Sequence, residues 1–258
     1  MIYVDDLNRR VELKESPQRI ISLVPSVTEL LFDLGLSEHI VGRTSYCIYP
    51  EHKIINVASV GGPKDFDLEK LRALKPDLII AVKEENDKGL VLEAMQICPV
   101  LVYDIVDIAS ALNMIREIGL LTDTQKRASS ILNQIQFKKE RLEKRNQEYK
   151  TACYLIWNVP MMTVNQQTFI SEMMRLAGFD NAFSNKTEHY PVLLEEDISL
   201  SEIEYILLSS EPFKFTEKHR KSYQNRFPRS KVILVDGEMF SWYGSRMLKA
   251  LDYFLQSF

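Results

Sequence analysis

Cysteine is scarce in this chain of 258 residues, which holds only Cys47, Cys98 and Cys153. They are far apart, odd in number and form no C-x-x-C pair. That argues against a thiolate zinc site and a redox pair. Cys98 and Cys153 sit in apolar runs and read as small buried hydrophobes. Histidine is nearly as scarce. His39, His52, His189 and His219 show no H-x-x-x-H or H-x-H spacing, so no bare-ion site is legible. No apolar run reaches the ~18–20 residues that span a bilayer. The opening Met1-Ile2-Tyr3-Val4-Asp5-Asp6 lacks the basic-then-apolar pattern of a secretion leader. The expectation is a periplasmic protein if a leader has been removed, and a cytoplasmic one otherwise. Positive charge is not in excess: 32 Lys and Arg face 36 Asp and Glu, for a net −4. Nucleic acid is therefore not the expected partner. The modest basic cluster at Lys138–Arg145 alternates with acids and reads as a solvated helix face.

Catalytic signatures are also missing. There is no G-x-S-x-G elbow, no H-E-x-x-H and no Ser/His/Asp set. Gly61-Gly62 lacks the phosphate-loop pattern and reads as a turn that needs positive φ. Glu84-Glu85 and Glu195-Glu196-Asp197 supply carboxylates, but adjacent residues usually point apart and are solvated. An enzyme is not the expectation.

What is present is alternation. Short strands are expected at Ile2–Val4 and Val11–Leu13, and a buried one at Arg19–Val24. Ser26 is placed to cap a helix at Val27–Leu34, with Glu29 completing a capping box and Gly35 closing it in the left-handed region. Further strands read at His39–Gly42, Leu78–Val82 and Val100–Tyr103. Helices read at Leu68–Leu74, Leu90–Ile97 and Ile108–Leu121. Thr124–Tyr149 has no Gly or Pro and reads as one helix of roughly 40 Å. The alternation then restarts, with strands at Ala152–Trp157, Tyr205–Leu208 and Val232–Val235. Helices follow at Thr168–Ala177, Leu200–Ile203 and Arg246–Phe258. Continuous apolar strands between helices imply parallel sheets covered on both faces. The fold class is α/β: two Rossmann-like lobes with parallel sheets, 1–122 and 151–258, joined by a single long backbone helix at 123–150. The last helix is free to pack back on the first lobe.

Ligands of such lobes lie where loops follow strand C-termini. On the first lobe these loops hold Pro25, Ser26, Tyr46, Tyr49 and Gly62. On the second they hold Trp157, Asn158, Trp242, Tyr243 and Arg246. Flat aromatic faces bury much area at small entropic cost. Arg246 suits a carboxylate or phosphate, or a structural salt bridge. His189, before Tyr190 and Pro191, is the best single candidate for an axial metal ligand, against the reading as a surface histidine.

Several blocks carry a family resemblance. They are Pro17–Leu31, Val41-Gly42, Tyr46, Tyr49-Pro50, Val60-Gly61-Gly62 and Leu68–Ile79. The chain resembles the class III periplasmic solute-binding proteins of ABC transporters, the helical-backbone metal receptors for cobalamin, iron–siderophores and haem. The likeness implies two α/β lobes, one linking helix and small closure. It implies a monomer that captures a small-molecule metal complex between its lobes, with no resident cofactor. It also implies an ABC permease as partner, docked through Glu69 and Glu196. Pro63 stands near the place where the cobalamin-binding members carry a ligand-stacking aromatic. Two other uses of the fold stay open: a cytoplasmic carrier or sensor, and an enzyme.

Overall fold

The structure is a computed structural model that describes residues 2–145, 148–200 and 202–258. It divides into two compact units. The first takes the residues up to Ile105, then Ala109–Gln134 and Tyr243–Arg246. The second takes Val106–Ile108, Ile135–Trp242 and Met247–Phe258.

In the first unit, β1 (Ile2–Val4) and β2 (Arg10–Glu12) form an antiparallel hairpin. Then follow β3 (Ile20–Ser22), α1 (Pro25–Asp33), β4 (Ile40–Arg43), α2 (Glu51–Ile54) and β5 (Ala58–Ser59). The unit continues with α3 (Leu68–Ala73), β6 (Leu78–Val82), α4 (Lys88–Ala94), β7 (Val100–Tyr103) and α5 (Ile108–Leu121). The strands make one parallel sheet in the order β5-β4-β3-β6-β7. Every residue of β3, β6 and β7 is buried. That is why these strands read as unbroken apolar runs rather than alternating ones. Gly42 in β4 is required by packing. A Cβ there would sit 2.9 Å from Ile21 and 2.8 Å from Leu74.

The long helix α6 (Gln125–Arg145) begins in the first unit and ends in the second. Ala128, Ile131, Ile135 and Leu142 are its buried stripe, while Phe137 is exposed. It is shorter than the expected Thr124–Tyr149, of which Asn146 and Gln147 lie outside the described residues.

The second unit begins with β8 (Lys150–Leu155), β9 (Met161–Met162), α7 (Phe169–Leu176), β10 (Phe179–Asn181) and β11 (Val192–Leu193). It continues with α8 (Glu195–Leu200), β12 (Tyr205–Ser209), α9 (Glu217–Arg226), β13 (Lys231–Val235) and α10 (Glu238–Ser241). A single 3-10 turn, Gly244–Arg246, leads into α11 (Met247–Ser257). The sheet is parallel, in the order β10-β8-β12-β13, and β9 pairs with β11 beside it. The α11 residues belong to the second unit, whereas Tyr243–Arg246 belong to the first. A helical piece was expected at Leu200–Ile203, part of which lies outside the described residues. The helix found here is α8, five residues earlier, with three acids in its first turn.

One local expectation is overturned. Ser26 does not cap α1. Pro25 takes the first helical position, Val24 is the N-cap, and no side-chain cap is made. Ser26 is already inside the helix, so its hydroxyl cannot reach the free N–H groups of the first turn. Glu29, expected to complete the box, is buried against Arg246 instead. Gly35 does adopt the left-handed conformation, at φ 85°.

Candidate functional site

The first unit gathers three loops at the C-terminal end of its sheet. The loop after β4 is clamped to α1 through Cys47, whose sulfur lies 3.1 Å from the Thr28 hydroxyl and 3.2 Å from that of Thr44. Burial pushes the Cys47 thiol up, so it stays a neutral clamp. With Cys47 buried, Tyr46 is left 65% exposed. The loop after β6 is stitched by Asn86. Its amide donates to Leu23 O at 3.1 Å and Pro63 O at 3.0 Å, and its oxygen accepts from Val82 N at 2.8 Å. Asn86 thereby fixes the loop after β3 and the Gly61–Pro63 turn at once. Gly62 is buried in that turn, and a Cβ there would meet the Asp65 carboxylate at 2.0 Å and the Tyr46 ring at 3.6 Å.

The Gly244–Arg246 turn packs against α1 in this same unit. The Arg246 Nε donates to Glu29 Oε2 at 2.7 Å, with both side chains almost wholly buried. The guanidinium lies 3.9 Å from the centre of the Tyr49 ring. Of the two expected roles for Arg246, a ligand anion or an internal salt bridge, the structure realises the internal pair. Tyr243 is buried too, and its hydroxyl donates to Glu85 Oε1 at 2.6 Å. Burial, then the Glu85 charge, pushes that hydroxyl far above its usual range. Ser26 is buried inside α1, behind Pro25. Tyr243 and Ser26, expected as ligand contacts, are thus packing groups that support the loops. Tyr46 and Tyr49 keep ring surface open to solvent at this sheet end, the second only partly.

In the second unit, Trp157 follows β8. It is 39% exposed, meets Phe213 edge-on at 5.6 Å and donates its indole N–H to Val159 O at 3.0 Å. Asn158 accepts from the Tyr223 hydroxyl at 2.9 Å, tying this loop to α9. Phe213 also packs on Phe215 and His219, and His219 caps α9 by accepting from Thr216 N at 3.0 Å. Trp242 follows α10 and is half-buried. Its indole N–H donates to Glu211 Oε1 at 3.0 Å, and the Ser241 hydroxyl donates to the same oxygen. His189 is exposed, with Tyr190 6.5 Å away edge-on. Its carbonyl accepts from Asn165 N at 3.0 Å.

Among the described residues, no group of three or more His, Cys, Asp or Glu could hold a metal ion. Two surface grooves lie elsewhere. One of about 480 Å³ runs beside β2 and the start of β7. Another of about 700 Å³ lies at the start of β8, β12 and β13. Neither touches the aromatic residues above.

Glu69 stands in the first turn of α3 behind the N-cap Asp67, with its side chain 85% exposed. Glu196 is exposed in the first turn of α8.

Residues 20–229 match the periplasmic binding protein family. The chain belongs to that family. It is 27% identical over 241 residues to the vitamin B12-binding protein of Pectobacterium carotovorum, covering 91% of this chain and 86% of that protein. It is 25% identical to an ABC transporter substrate-binding lipoprotein of Bacillus subtilis, covering 99% of this chain and 85% of that one. Among solved structures, it matches the periplasmic vitamin B12-binding protein BtuF of Vibrio cholerae with a TM-score of 0.78 and 21% identity. That match covers 93% and 95% of the two chains. It matches the haem-binding protein RhuT of Roseiflexus with a TM-score of 0.77 and 20% identity, covering 92% and 97%. These neighbours share the two-lobed α/β fold with parallel sheets. Sequence reasoning missed Asn86, Cys47 and Glu211. Each works through partners distant in the chain, and no local pattern marks them.

Proposed function

We propose that this chain is the substrate-binding component of an ABC-type uptake system and captures a chelated metal compound, such as a corrinoid, ferric siderophore or haem. The observation that carries the reading is the placement of aromatic faces. Tyr46 and Tyr49 at the sheet end of the first unit, and Trp157 and Trp242 in the second, keep ring surface partly open. Both tryptophan N–H groups already have internal partners. Rings fixed in this way offer flat apolar area without losing further freedom when a ligand arrives. Curated relatives named as vitamin B12-binding and as ABC substrate-binding support it.

In this reading Asn158, Gly62 and Pro25 shape the loops that carry the rings, and His189 offers an imidazole to the metal's open position. The metal is cargo inside its chelator. Binding and release involve no covalent step, and the protein acts as a monomer outside the cytoplasmic membrane. Glu69 and Glu196 engage basic residues of a permease.

The test is equilibrium titration followed by tryptophan fluorescence, with cyanocobalamin, cobinamide, haemin and ferric siderophores. The expected result is saturable quenching by one probe. Trp242→Ala should weaken that binding by at least about tenfold, the scale set when a well-packed aromatic anchor is lost. A flat response across the whole panel would overturn the capture of a metal chelate.

A further inference from the structure

Positive charge is concentrated on one part of the second unit. Residues 212–231 carry seven Lys and Arg against Glu217 alone, in a chain whose net charge is −4. They span α9 and its two flanks. Two of the seven are neutralised, Arg220 by Glu217 and Arg226 by Glu195. Lys231 lies over the Tyr205 ring, 5.4 Å from its centre. Among the described residues, Lys214, Lys218, Lys221 and Arg229 form no ion pair, and all four are exposed. Glu217 also feels the charge of Lys221, but one carboxylate already bound by Arg220 does not neutralise both. The helix packs through Tyr223 and turns Lys218, Lys221, Ser222 and Asn225 to solvent, at the spacing of one face.

A charged helix face is usually only a solvated one. The long helix α6 shows that form, with Lys139 paired to Glu143 one turn on and Lys138 to Asp252. The α9 face differs in two ways. Its lysines lack such partners, and Lys214 and Lys218 stand before and inside the first turn, at the positive end of the helix dipole. Acids stabilise that end and cations oppose it, so these charges do not serve the helix. The ten residues of α9 extend about 15 Å, wider than the ~8 Å over which charges act in physiological salt. A small anion meets only one or two of the cations at a time. An extended, flat array of negative charge meets them all. The Arg226–Glu195 pair also ties α9 to α8, which carries Glu196, proposed above to engage the permease.

We infer that α9 and its flanks form a basic surface that rests on the anionic phospholipid headgroups around the transporter. Each Lys or Arg close to such a surface strengthens binding by about fivefold. Four of them give half-binding on the order of a millimolar lipid, enough to orient the protein and weak enough to release it. The inference takes only the presence of a membrane from the uptake reading. It does not depend on which compound is captured.

The experiment is co-sedimentation of the full chain with sucrose-loaded vesicles. One set is phosphatidylcholine alone, and the other is one-third phosphatidylglycerol. Wild type is compared with Lys218→Gln/Lys221→Gln and with Lys126→Gln/Lys144→Gln, which removes the same charge from exposed positions on α6. The expected result is that wild type pellets with the anionic vesicles only and is released in about 1 M salt, where the screening length falls to about 3 Å. The α9 variant binds at least about tenfold more weakly, and the α6 variant binds as wild type does. Equal pelleting with both vesicle types, equal weakening by both double variants, or no pelleting at all overturns the inference. None of these outcomes bears on ligand capture, which the fluorescence titration tests separately.

Discussion

Among the described residues, Arg246 and Glu29 form the most deeply buried ion pair between side chains far apart in the chain, at a separation of 217 positions. A charge taken out of water costs several kcal/mol unless its partner stays. Arg246→Met leaves the Glu29 carboxylate buried without its guanidinium and strips the cation from the Tyr49 ring. We expect a loss of about 3–5 kcal/mol in urea unfolding. The double variant Glu29→Gln/Arg246→Met removes both charges and should recover part of that loss. If the single variant is as stable as the wild type, the pair is not the anchor of the turn. A structural salt bridge was one of two roles legible for Arg246, but its partner was not, because Glu29 sits three residues after Ser26 and completes an apparent capping box. Sequence spacing registers neighbours along the chain, and Arg246 is not one.

Uniform burial made some elements legible, and sparse burial hid others. β6 and β7 were read to the residue because each is buried on both faces and therefore apolar throughout. The α9 helix went unseen because its ten residues, EKHRKSYQNR, bury only Tyr223. Its helical character comes from the Thr216–His219 cap and a packed tyrosine rather than from an apolar stripe. Short strands such as β5, β9 and β11 have too few residues to show a period.

The N-cap of α3 yields a pH test. Asp67 accepts from Glu69 N at 2.9 Å and Lys70 N at 3.1 Å. The bond from the Lys70 backbone, more than any other contact, holds its carboxyl below the usual aspartate range. A depressed folded value means stabilisation that is present above the unfolded value, about 3.9, and lost as pH falls through the folded one. Wild type should therefore be more stable than Asp67→Ala at pH 7, and the gap should close as the pH drops below about 4. A gap that is constant with pH would mean that the carboxylate charge plays no part in the cap. Because Asp67 caps the turn that displays Glu69, the same variant also loosens the proposed docking residue.

At the scale of the molecule, two parallel sheets and a helix shared by both units were readable from alternation, which found β3, β4, β6 and β7 of the first sheet and β8, β12 and β13 of the second but neither β5 nor β10. The family resemblance supplied the function class, and the match of residues 20–229 places the chain in that family. The division of labour between units was not readable, since it depends on which loop packs where. Docking belongs to this scale. Glu69→Arg and Glu196→Arg, alone and together, should leave ligand affinity as it is and abolish transport in a reconstituted permease assay, the double variant most completely. Transport that survives the double charge reversal would remove both glutamates from the docking surface.

The Tyr243–Arg246 turn carries one more consequence, which concerns the order of synthesis. A ribosome makes every strand of the first sheet early, yet releases the group that neutralises Glu29 only after β13 is complete. For most of translation the first unit holds its α1 carboxylate without that cation, and Tyr49 without the guanidinium that covers it. Its last stabilising contacts therefore arrive with the tail of the chain. A product truncated after β13 has all the strands of both sheets, yet it leaves the first unit without its closing turn and the second without α10 and α11.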